Sequence, residues 1–464
     1  MTDRREFLKR LAGGAAGVCF APYLSAADPW PEMDRILKRI KPPVFPSRSF
    51  DITKYGAVGD NTFDCTEAIR KAIADCSSKG GGSVVVPKGE FLTGAVELKS
   101  RVNLHVSEGA TLRFTHDTSK YPLRFGRWEG MELMNYSAMI YAFEQENIGI
   151  SGKGTIDGNA DKQHWWPWKG NAQGGYVSGP TQADDRARLY DMVARNVPVR
   201  DRVFGQGHYL RPQFIQPYRC KNLLVEGVRL LNSPMWQVTP CLCSNVTVRE
   251  LYISSFGPNT DGCNPESCTD VVIKNCFFNT GDDCIAIKSG RNDDGRRLHT
   301  PSQNIVIQNC RMQDGHGGVT VGSEISGGVR NVFVENCNLN SPNLDSAIRI
   351  KNNALRGGLI ENIYARNMTV GEIRLAALSV DFNYEEGANG PYKPICRNIS
   401  IEKLKTQKTQ YALYLRGFKD APIENISLID CDFAGVEKGN LVENVKDVNL
   451  RNVRINGKPM SEVA

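Results

Sequence analysis

Asn222-Leu223-Leu224-Val225, Asn245-Val246-Thr247-Val248 and Asp270-Val271-Val272-Ile273 are three copies of one short motif. Each copy begins with asparagine or aspartate and continues as an alternating apolar run, often followed by Asn-Cys or its equivalent. Period-two alternation predicts half-buried strands, and a spacing of roughly 20 to 35 residues is typical of a strand-based solenoid. No copy carries a ten-residue helical pattern. The sequence therefore predicts an all-β, right-handed parallel β-helix. Further copies begin at Asn304, Asn331, Asn362, Asn398, Asn425 and Asp447.

The N-terminal part of the repeat region is expected to form a cap. Residues 64–77 have the pattern of a short amphipathic helix, and Gly80-Gly81-Gly82 would end it. A helix here would cover the open end of the coil stack, which otherwise exposes unpaired backbone and apolar side chains. Its apolar face would consist of Ala68, Ile69, Ala72, Ile73 and Cys76.

A long insertion near residues 159–218 interrupts the repeat. It contains His164-Trp165-Trp166-Pro167-Trp168 and a polar stretch over residues 184–202. Insertions of this length are uncommon unless they have a role such as lining a binding site. Exposed tryptophans would favour stacking on sugar rings. The alternative is a surface excursion held down by its own tryptophans.

Composition narrows the class of protein. Charged residues are 23% of 464 residues, which argues against disorder, and 44 glycines suit many tight corners between short strands. A formal net charge of +6 is compatible with an anionic polymer substrate. No basic run interleaved with aromatic residues points to nucleic acid. Beyond the N-terminal segment, no apolar stretch is long enough to span a bilayer.

Residues 1–27 have the pattern of an export signal. Asp3-Arg4-Arg5-Glu6-Phe7-Leu8-Lys9 precedes a small apolar stretch that ends in Ser25-Ala26-Ala27, which suggests cleavage before Asp28. The paired arginines followed by Phe-Leu-Lys resemble the twin-arginine pattern. An ordinary secretory signal remains the alternative. The sequence thus predicts a periplasmic or secreted protein whose residues 28–464 form one β-helix catalytic domain.

Cysteine positions argue against disulfides for part of the chain. Cys276, Cys310 and Cys337 each follow an asparagine at one fixed place in the repeat, so they are expected to stack as buried thiols. The cysteines within residues 241–243 and 263–268 remain open. No histidine spacing matches a zinc site there, and no metal is expected.

Four polar clusters follow one another at about one coil each in the second half of the chain. They are Asn259-Thr260-Asp261-Gly262, Gly281-Asp282-Asp283, Gly315-His316-Gly317 and Arg349-Ile350-Lys351. Each alone has an ordinary explanation as a turn or a solvated face. Stacked coils place parallel strands about 4.8 Å apart, so four clusters in order would share one wall. This arrangement predicts a catalytic site.

The residue types of the clusters suit acetal hydrolysis. Repulsion among Asp261, Asp282 and Asp283 should raise the pKa of at least one carboxyl group. Hydrolysis needs a protonated carboxyl group for the leaving oxygen and an ionised partner that activates water. A neighbouring His316 could tune or relay the proton. The adjacent Arg-x-Lys pair suits a sugar that carries a carboxylate.

The four clusters resemble those of glycoside hydrolase family 28, the polygalacturonases and related pectin hydrolases. The resemblance runs from Tyr55-Gly56-Ala57 to the final coils and keeps the family's order of motifs. It implies an inverting hydrolase of α-galacturonosidic bonds in pectic polymers, with no metal or cofactor. The insertion is similar to those of exo-acting bacterial members, which favours release of single galacturonate units from chain ends. Homogalacturonan and rhamnogalacturonan both remain open as the backbone.

The resemblance also implies roles for particular residues. Asp282 would be the general acid with His316 in support, while Asp261 and Asp283 would hold and deprotonate the attacking water. One position departs from the pattern, because Asn264 stands where many members have aspartate; this affects the expected subsite preference. The substrate-binding residues would be Asn259, Arg349, Lys351 and Tyr384.

Two other classes fit the same residues. A β-helix polysaccharide lyase acting on uronic-acid polymers would eliminate beside the carboxylate, commonly with calcium. A non-catalytic carbohydrate-binding solenoid would keep the fold and lose nothing when Asp282 is replaced. The oligomeric state is not indicated by these residues.

Overall fold

The computed structural model describes residues 28–463, so the predicted export signal at residues 1–27 lies outside the described residues. The predicted right-handed parallel β-helix is confirmed. Three parallel sheets run along the solenoid, and successive coils contribute one strand to each. The inward-facing residues of all three sheets form one continuous apolar core.

The first sheet contains the asparagine-led copies of the motif. Its strands pair in parallel with the predicted register, for example Val271 with Ile305 and Ile305 with Val332. Its strands are Ser49–Asp51, Gly82–Val86, Val102–Val106, Glu146–Gly152, Lys221–Glu226, Ser244–Arg249, Thr269–Lys274, Ser302–Gln308, Val329–Glu335, Leu359–Glu372, Ile395–Lys408, Ile423–Ile429 and Val445–Arg451.

The second sheet follows after a sharp corner. The long strands Leu359–Glu372 and Ile395–Lys408 bend through this corner and belong to both sheets. The other strands are Asp60–Asp64, Gly89–Thr93, Ala110–Phe114, Thr155–Asp157, Arg229–Leu231, Tyr252–Ser255, Phe277–Thr280, Arg311–Met312, Asn338–Leu339, Asp432–Phe433 and Arg454–Ile455, which pairs antiparallel with Lys458–Pro459.

The third sheet faces the insertion. Single bridges at Val238 and Cys263 carry this sheet through two coils that lack a longer strand there. Its strands are Val96–Glu97, Ile140–Phe143, Ile215–Tyr218, Ile285–Ile287, Gly317–Val321, Ser346–Lys351, Ala376–Asp381, Tyr411–Arg416 and Asn440–Glu443.

An asparagine ladder explains why each copy of the motif begins as it does. Asn331 has φ 56°, in the left-handed region that asparagine tolerates better than most residues. Its Nδ2 donates to Oδ1 of Asn304 at 3.1 Å, and Nδ2 of Asn362 donates to Asn331 Oδ1 at 2.9 Å. The same link continues to Asn398 and Asn425. Each asparagine therefore shapes its own corner and ties it to the next coil.

In the described part of the chain, four α-helices lie around the coils: α1 (Trp30–Arg39), α2 (Thr66–Ser78), α3 (Ala183–Ala194) and α4 (Asn292–Leu298). Helix α2 is the predicted cap, and its five predicted apolar residues are buried. The repeat pattern does not predict α1, which packs on the outer face of the first sheet. This contact buries Trp30, Met33, Ile36 and Ile40 against Val272, Val306 and Phe333.

The insertion packs against the solenoid through its tryptophans. Trp165 is buried, and its ring lies 4.9 Å from that of Trp168. Trp166 Nε1 donates to the carbonyl oxygen of Ser233 at 2.8 Å. Of the two explanations that the sequence leaves open, these contacts favour a segment held down by its own tryptophans, since Trp165 is buried and Trp166 and Trp168 pack partly buried against the core. The 3₁₀ turns within residues 28–463 are Ile52–Tyr55, Thr118–Lys120, Trp166–Lys169 and Val199–Asp201.

A β-hairpin that the repeat pattern does not predict lies beside the insertion. Its strands, Leu123–Trp128 and Met131–Tyr136, pair antiparallel. Its turn is held by Arg291, whose backbone N–H donates to the carbonyl oxygen of Gly130 at 3.0 Å and whose guanidinium pairs with Glu129. The hairpin turn thereby reaches the third sheet.

The thirteen cysteines among residues 28–463 are all free and buried. Those at Cys276, Cys310 and Cys337 stack at one corner as predicted, close enough for their thiols to interact. Within the same residues, no helix is both long and apolar enough to cross a membrane.

Candidate active site

The four predicted clusters lie on adjacent coils of the third sheet. Cys263 bridges to Ile285, Ile285 pairs with Val319, and Val319 pairs with Ile348. These pairings place the loops that precede each strand above one another. The loop residues therefore meet at one edge of the sheet, as the coil spacing predicts.

Three carboxylates converge at this edge. One oxygen from each of Asp261, Asp282 and Asp283 lies within 4.8 Å of the others. Asp261 and Asp283 are buried, whereas the Asp282 side chain is 17% exposed and faces the opening. The structure thus brings the three predicted carboxylates together at one place.

Asp261 is the carboxyl group that binds its proton most tightly. Burial and the neighbouring charge of Asp282 raise the pKa of Asp261 to about 8, against the opposing effect of Lys288. Its Oδ2 accepts a hydrogen bond from Asn264 Nδ2 at 2.9 Å, and its Oδ1 is buried without a partner. The amide at position 264 thus takes a direct part in the environment of Asp261.

Asp282 and His316 form a second proton-holding unit. His316 Nδ1 lies 3.0 Å from Asp282 Oδ1. Burial alone would raise the pKa of Asp282, but the hydrogen bond and the charge of His316 hold it well below its usual range. The same hydrogen bond raises the pKa of His316 to about 9. In the free protein at neutral pH, the pair holds one proton on the imidazole side.

The two predicted cations lie beside the third carboxylate. Lys351 Nζ is 2.7 Å from Asp283 Oδ2, and an Arg349 Nη1 atom is 3.6 Å from Asp283 Oδ1 and 3.5 Å from Asp345 Oδ2. That Nη1 is buried and has no hydrogen-bond partner. Lys351 lies 5.2 Å from the ring centroid of Tyr384. All these residues are therefore close together, with one guanidinium donor unused.

Asn259 connects the first two clusters. Its Oδ1 accepts a hydrogen bond from Arg211 Nη2 at 2.8 Å, and its Nδ2 donates to Asp282 Oδ2 at 3.4 Å. Arg211 is fully buried and also binds two backbone carbonyls. Asn259 is thereby fixed with its amide group toward the carboxylates.

A network of buried charges behind the carboxylates was not predicted as part of the site. Lys288 Nζ lies 3.6 Å from Asp261 Oδ2 and 2.9 Å from Glu324 Oε2. Arg291 contacts Glu324 and Glu129, each at 3.3 Å. These residues come from three separate segments and carry no motif. Only Lys288 is indicated by the sequence, because strand register places it two coils below the Arg-x-Lys pair.

An open cavity of about 210 Å³ lies in front of the carboxylates. One wall is built by segments outside the regular coils: Glu129 comes from the hairpin turn, and Lys169 and Arg186 come from the insertion. Arg186 Nε contacts Glu129 Oε2 at 2.7 Å, which joins the two segments. The insertion therefore lines the site with charged residues rather than with tryptophans.

The carboxylates are close enough to hold a cation, but their surroundings already supply positive charge. Lys351 contacts Asp283, and Lys288 lies beside Asp261. Two buried ammonium groups next to three carboxylates leave little net negative charge for a divalent ion. The donor set fits a proton-transfer site better than a metal site.

Comparison with known proteins gives consistent matches. The model of the family described as glycosyl hydrolases family 28 matches residues 204–456. The crystal structure of a hyperthermoactive exopolygalacturonase from Thermotoga maritima superposes with a TM-score of 0.90 at 41% identity, over 92% of this chain and 96% of that chain. A Vitis vinifera protein named "Probable polygalacturonase" is 29% identical over 82% of this chain and 73% of its own length. An exo-poly-alpha-D-galacturonosidase from Dickeya chrysanthemi is 28% identical over 72% of this chain and 57% of its own length.

Proposed function

Because the chain belongs to glycosyl hydrolases family 28 and is a glycoside hydrolase, we propose that it hydrolyses α-galacturonosidic bonds of pectin and releases single galacturonate units from chain ends. The observation that carries this proposal is the convergence of three carboxylates and a histidine in a cavity that the insertion closes on one side. Relatives from Thermotoga maritima and Dickeya chrysanthemi are named as exo-acting enzymes.

In the proposed mechanism, Asp282 protonates the leaving glycosidic oxygen. It is the most exposed of the three carboxylates and can reach a bound substrate. The proton that it needs is held by the Asp282–His316 pair, in which the two groups lie 3.0 Å apart. As negative charge develops on the leaving oxygen, the proton passes from His316 to Asp282 and onward. His316 is thus the reservoir and Asp282 the donor.

Asp261 and Asp283 hold the attacking water, and Asp283 accepts its proton. Asp283 takes the role of base because Asp261 already carries a proton near neutral pH. Asp261 binds a proton with a pKa of about 8, so near neutral pH it can donate a hydrogen bond to the same water. Lys351 remains charged, since the Asp283 carboxylate outweighs the effect of burial and raises its pKa.

We propose inversion at the anomeric carbon, in which water attacks directly. One oxygen from each of the three carboxylates lies within 4.8 Å of the others. This is closer than the separation of about 6.5–9.5 Å that is usual in inverting enzymes, so the carboxylate spacing is not evidence for inversion. The proximity of Asp261 and Asp283 supports it, because two such carboxyl groups can hold one attacking water between them. Asp283 is also committed to Lys351 and is a poor nucleophile. Proton NMR of the first product would reveal β-galacturonate for inversion and α-galacturonate for retention.

The substrate's carboxylate is proposed to bind between Arg349, Lys351 and Tyr384. Arg349 has an unused buried donor, and a guanidinium can grip a carboxylate with two hydrogen bonds. Asn259 would contact the sugar beside Asp282. These contacts make a pectic oligo- or polysaccharide the proposed partner, with a periplasmic or secreted enzyme as its setting.

Product analysis by chromatography tests the proposal directly. Purified enzyme would be incubated with homogalacturonan oligomers and, separately, with rhamnogalacturonan fragments, and Asp282→Asn protein would serve as the control. We expect saturated galacturonate monomer as the first and main product. A ladder of oligomers would reject attack at chain ends. An unsaturated product that absorbs in the ultraviolet would reject hydrolysis in favour of elimination.

A further inference from the structure

We infer that Lys169, a residue of the insertion, binds the carboxylate of the sugar that is released and makes the enzyme selective for a charged chain end. This inference rests on the proposed function and names a specificity-determining residue for it. The cations of the cavity differ in whether a carboxylate of the protein already neutralises them.

Most cations that line the cavity are committed to carboxylates. Lys351 contacts Asp283 at 2.7 Å and Lys288 contacts Glu324 at 2.9 Å. Two arginines are also committed, since Arg186 contacts Glu129 at 2.7 Å and Arg291 contacts both Glu129 and Glu324. An entering carboxylate would gain less from these cations, because each already has a partner of opposite charge.

Lys169 differs from the others. Among residues 28–463, no carboxylate oxygen lies within 4.0 Å of its ammonium group, and the group has no hydrogen-bond partner there. Its side chain is half-buried and lines the cavity that contains Asp282 and His316. Burial lowers the pKa of Lys169 and nearby Arg211 and Arg186 act in the same direction, against a partial opposing effect of the more distant carboxylates of Glu129 and Asp282. A bound carboxylate would relieve both effects, which is the behaviour of a cation that awaits an anionic ligand.

The position of Lys169 links charge recognition to attack at chain ends. It ends the 3₁₀ turn Trp166–Lys169, which is anchored by the hydrogen bond from Trp166 to Ser233. The same insertion contributes Lys169 and Arg186 to one wall of the cavity that contains Asp282. Under the proposed attack at chain ends, a sugar between this wall and Asp282 is the terminal sugar of the chain. Lys169 therefore faces the sugar that hydrolysis releases, whereas Arg349 lies on the coil that carries Lys351.

The test uses digalacturonate in which the carboxyl group of the released sugar is either free or methyl-esterified. Wild-type enzyme should prefer the free acid, and Lys169→Met should lower kcat/KM for the free acid about 10- to 100-fold, the range for loss of a charge-assisted hydrogen bond. Most of this change should be in KM. Activity on the ester should change little, so the preference for the free acid over the ester should be lost. Lys169→Arg should restore part of this preference.

Lys162→Met is the matched control, because Lys162 lies in the same insertion but is exposed outside the cavity. It should leave both substrates unaffected. If Lys169→Met keeps the wild-type preference, this inference is wrong while the proposed function stands. If wild-type enzyme cleaves neither substrate, the proposed function fails and the inference with it. Circular dichroism of the variants would separate a folding defect from loss of selectivity. If Lys169→Met does not fold, the preference for the free acid is measured on the Lys169→Arg enzyme instead.

Discussion

Lys351 Nζ and Asp283 Oδ2 lie 2.7 Å apart although 68 residues separate them in the sequence. Both side chains are almost fully buried. The strand Gly317–Val321 lies between their two coils, so the long lysine side chain crosses a whole coil to reach the carboxylate. Gly322 allows these coils to approach closely, because a Cβ at this position would clash with the backbone carbonyl oxygen of Lys351. The ion pair thus fixes the distance between the predicted carboxylate cluster and the predicted cation cluster.

Removing one partner of this pair should cost both stability and activity. Lys351→Met leaves Asp283 buried with only the more distant Arg349, so we expect a loss of about 3 kcal/mol in the free energy of unfolding. Chemical denaturation would measure it. The double variant Asp283→Asn/Lys351→Met should regain part of this stability while staying inactive. Equal stability of the single variant and the wild type would show that the pair contributes nothing.

Asp282→Asn should lower kcat at least about 100-fold, because an amide cannot donate the acidic proton. Substrate binding should survive, since Asn259 and the cations are unchanged. Isothermal titration with a galacturonate oligomer would measure binding to this inactive variant. Unchanged kcat would support the alternative of a non-catalytic binding solenoid.

The pH dependence should report the Asp282–His316 pair. The pKa of His316, about 9, lies above the ordinary value for histidine. The imidazole is therefore charged below pH 9 and loses its proton above it. We therefore expect kcat/KM to fall as pH rises through about 9. In His316→Gln this alkaline limb should disappear and the rate at neutral pH should drop. His105→Gln, which changes a histidine of the first sheet, should keep the limb.

The sequence predicts the coils and the meeting of the four clusters well, since both follow from period-two alternation and coil spacing. Asp261, Asp283 and Lys351 are placed by strand register, which the apolar pattern determines. The rest of the site is set by long-range packing. Glu129 and Lys169 come from a hairpin and an insertion with no repeat, so their approach to the carboxylates depends on contacts that no local pattern encodes.

Local patterns also mislead where packing decides the outcome. A tryptophan-rich segment is compatible with sugar stacking, but Trp165 is needed in the core beneath the insertion. Likewise, the clustering of carboxylates predicts that one carboxyl group has a raised pKa but does not indicate which one. Asp261 takes that role because it is buried without a full partner, whereas His316 keeps Asp282 ionised.

Chelation should not affect the enzyme. Lys288 and Lys351 already offset the charge of the carboxylates, so hydrolysis by proton transfer needs no divalent ion. After treatment with EDTA and desalting, we expect the same rate of release of reducing sugar, and added calcium should not raise it. Loss of activity that only calcium restores would favour the lyase alternative.

The asparagine ladder should contribute measurably to stability. Asn331 donates one side-chain hydrogen bond to Asn304 and accepts one from Asn362. Its backbone has φ 56°, which costs an alanine roughly 1–2 kcal/mol. Asn331→Gly removes only the two hydrogen bonds, so we expect a loss of about 1–3 kcal/mol. Asn331→Ala adds the backbone cost and should lose about 2–5 kcal/mol. Denaturant unfolding of both variants would measure the difference, which isolates the backbone term because the ladder is broken equally in each. If glycine and alanine destabilise the protein to the same extent, the left-handed corner does not explain why the motif begins with asparagine.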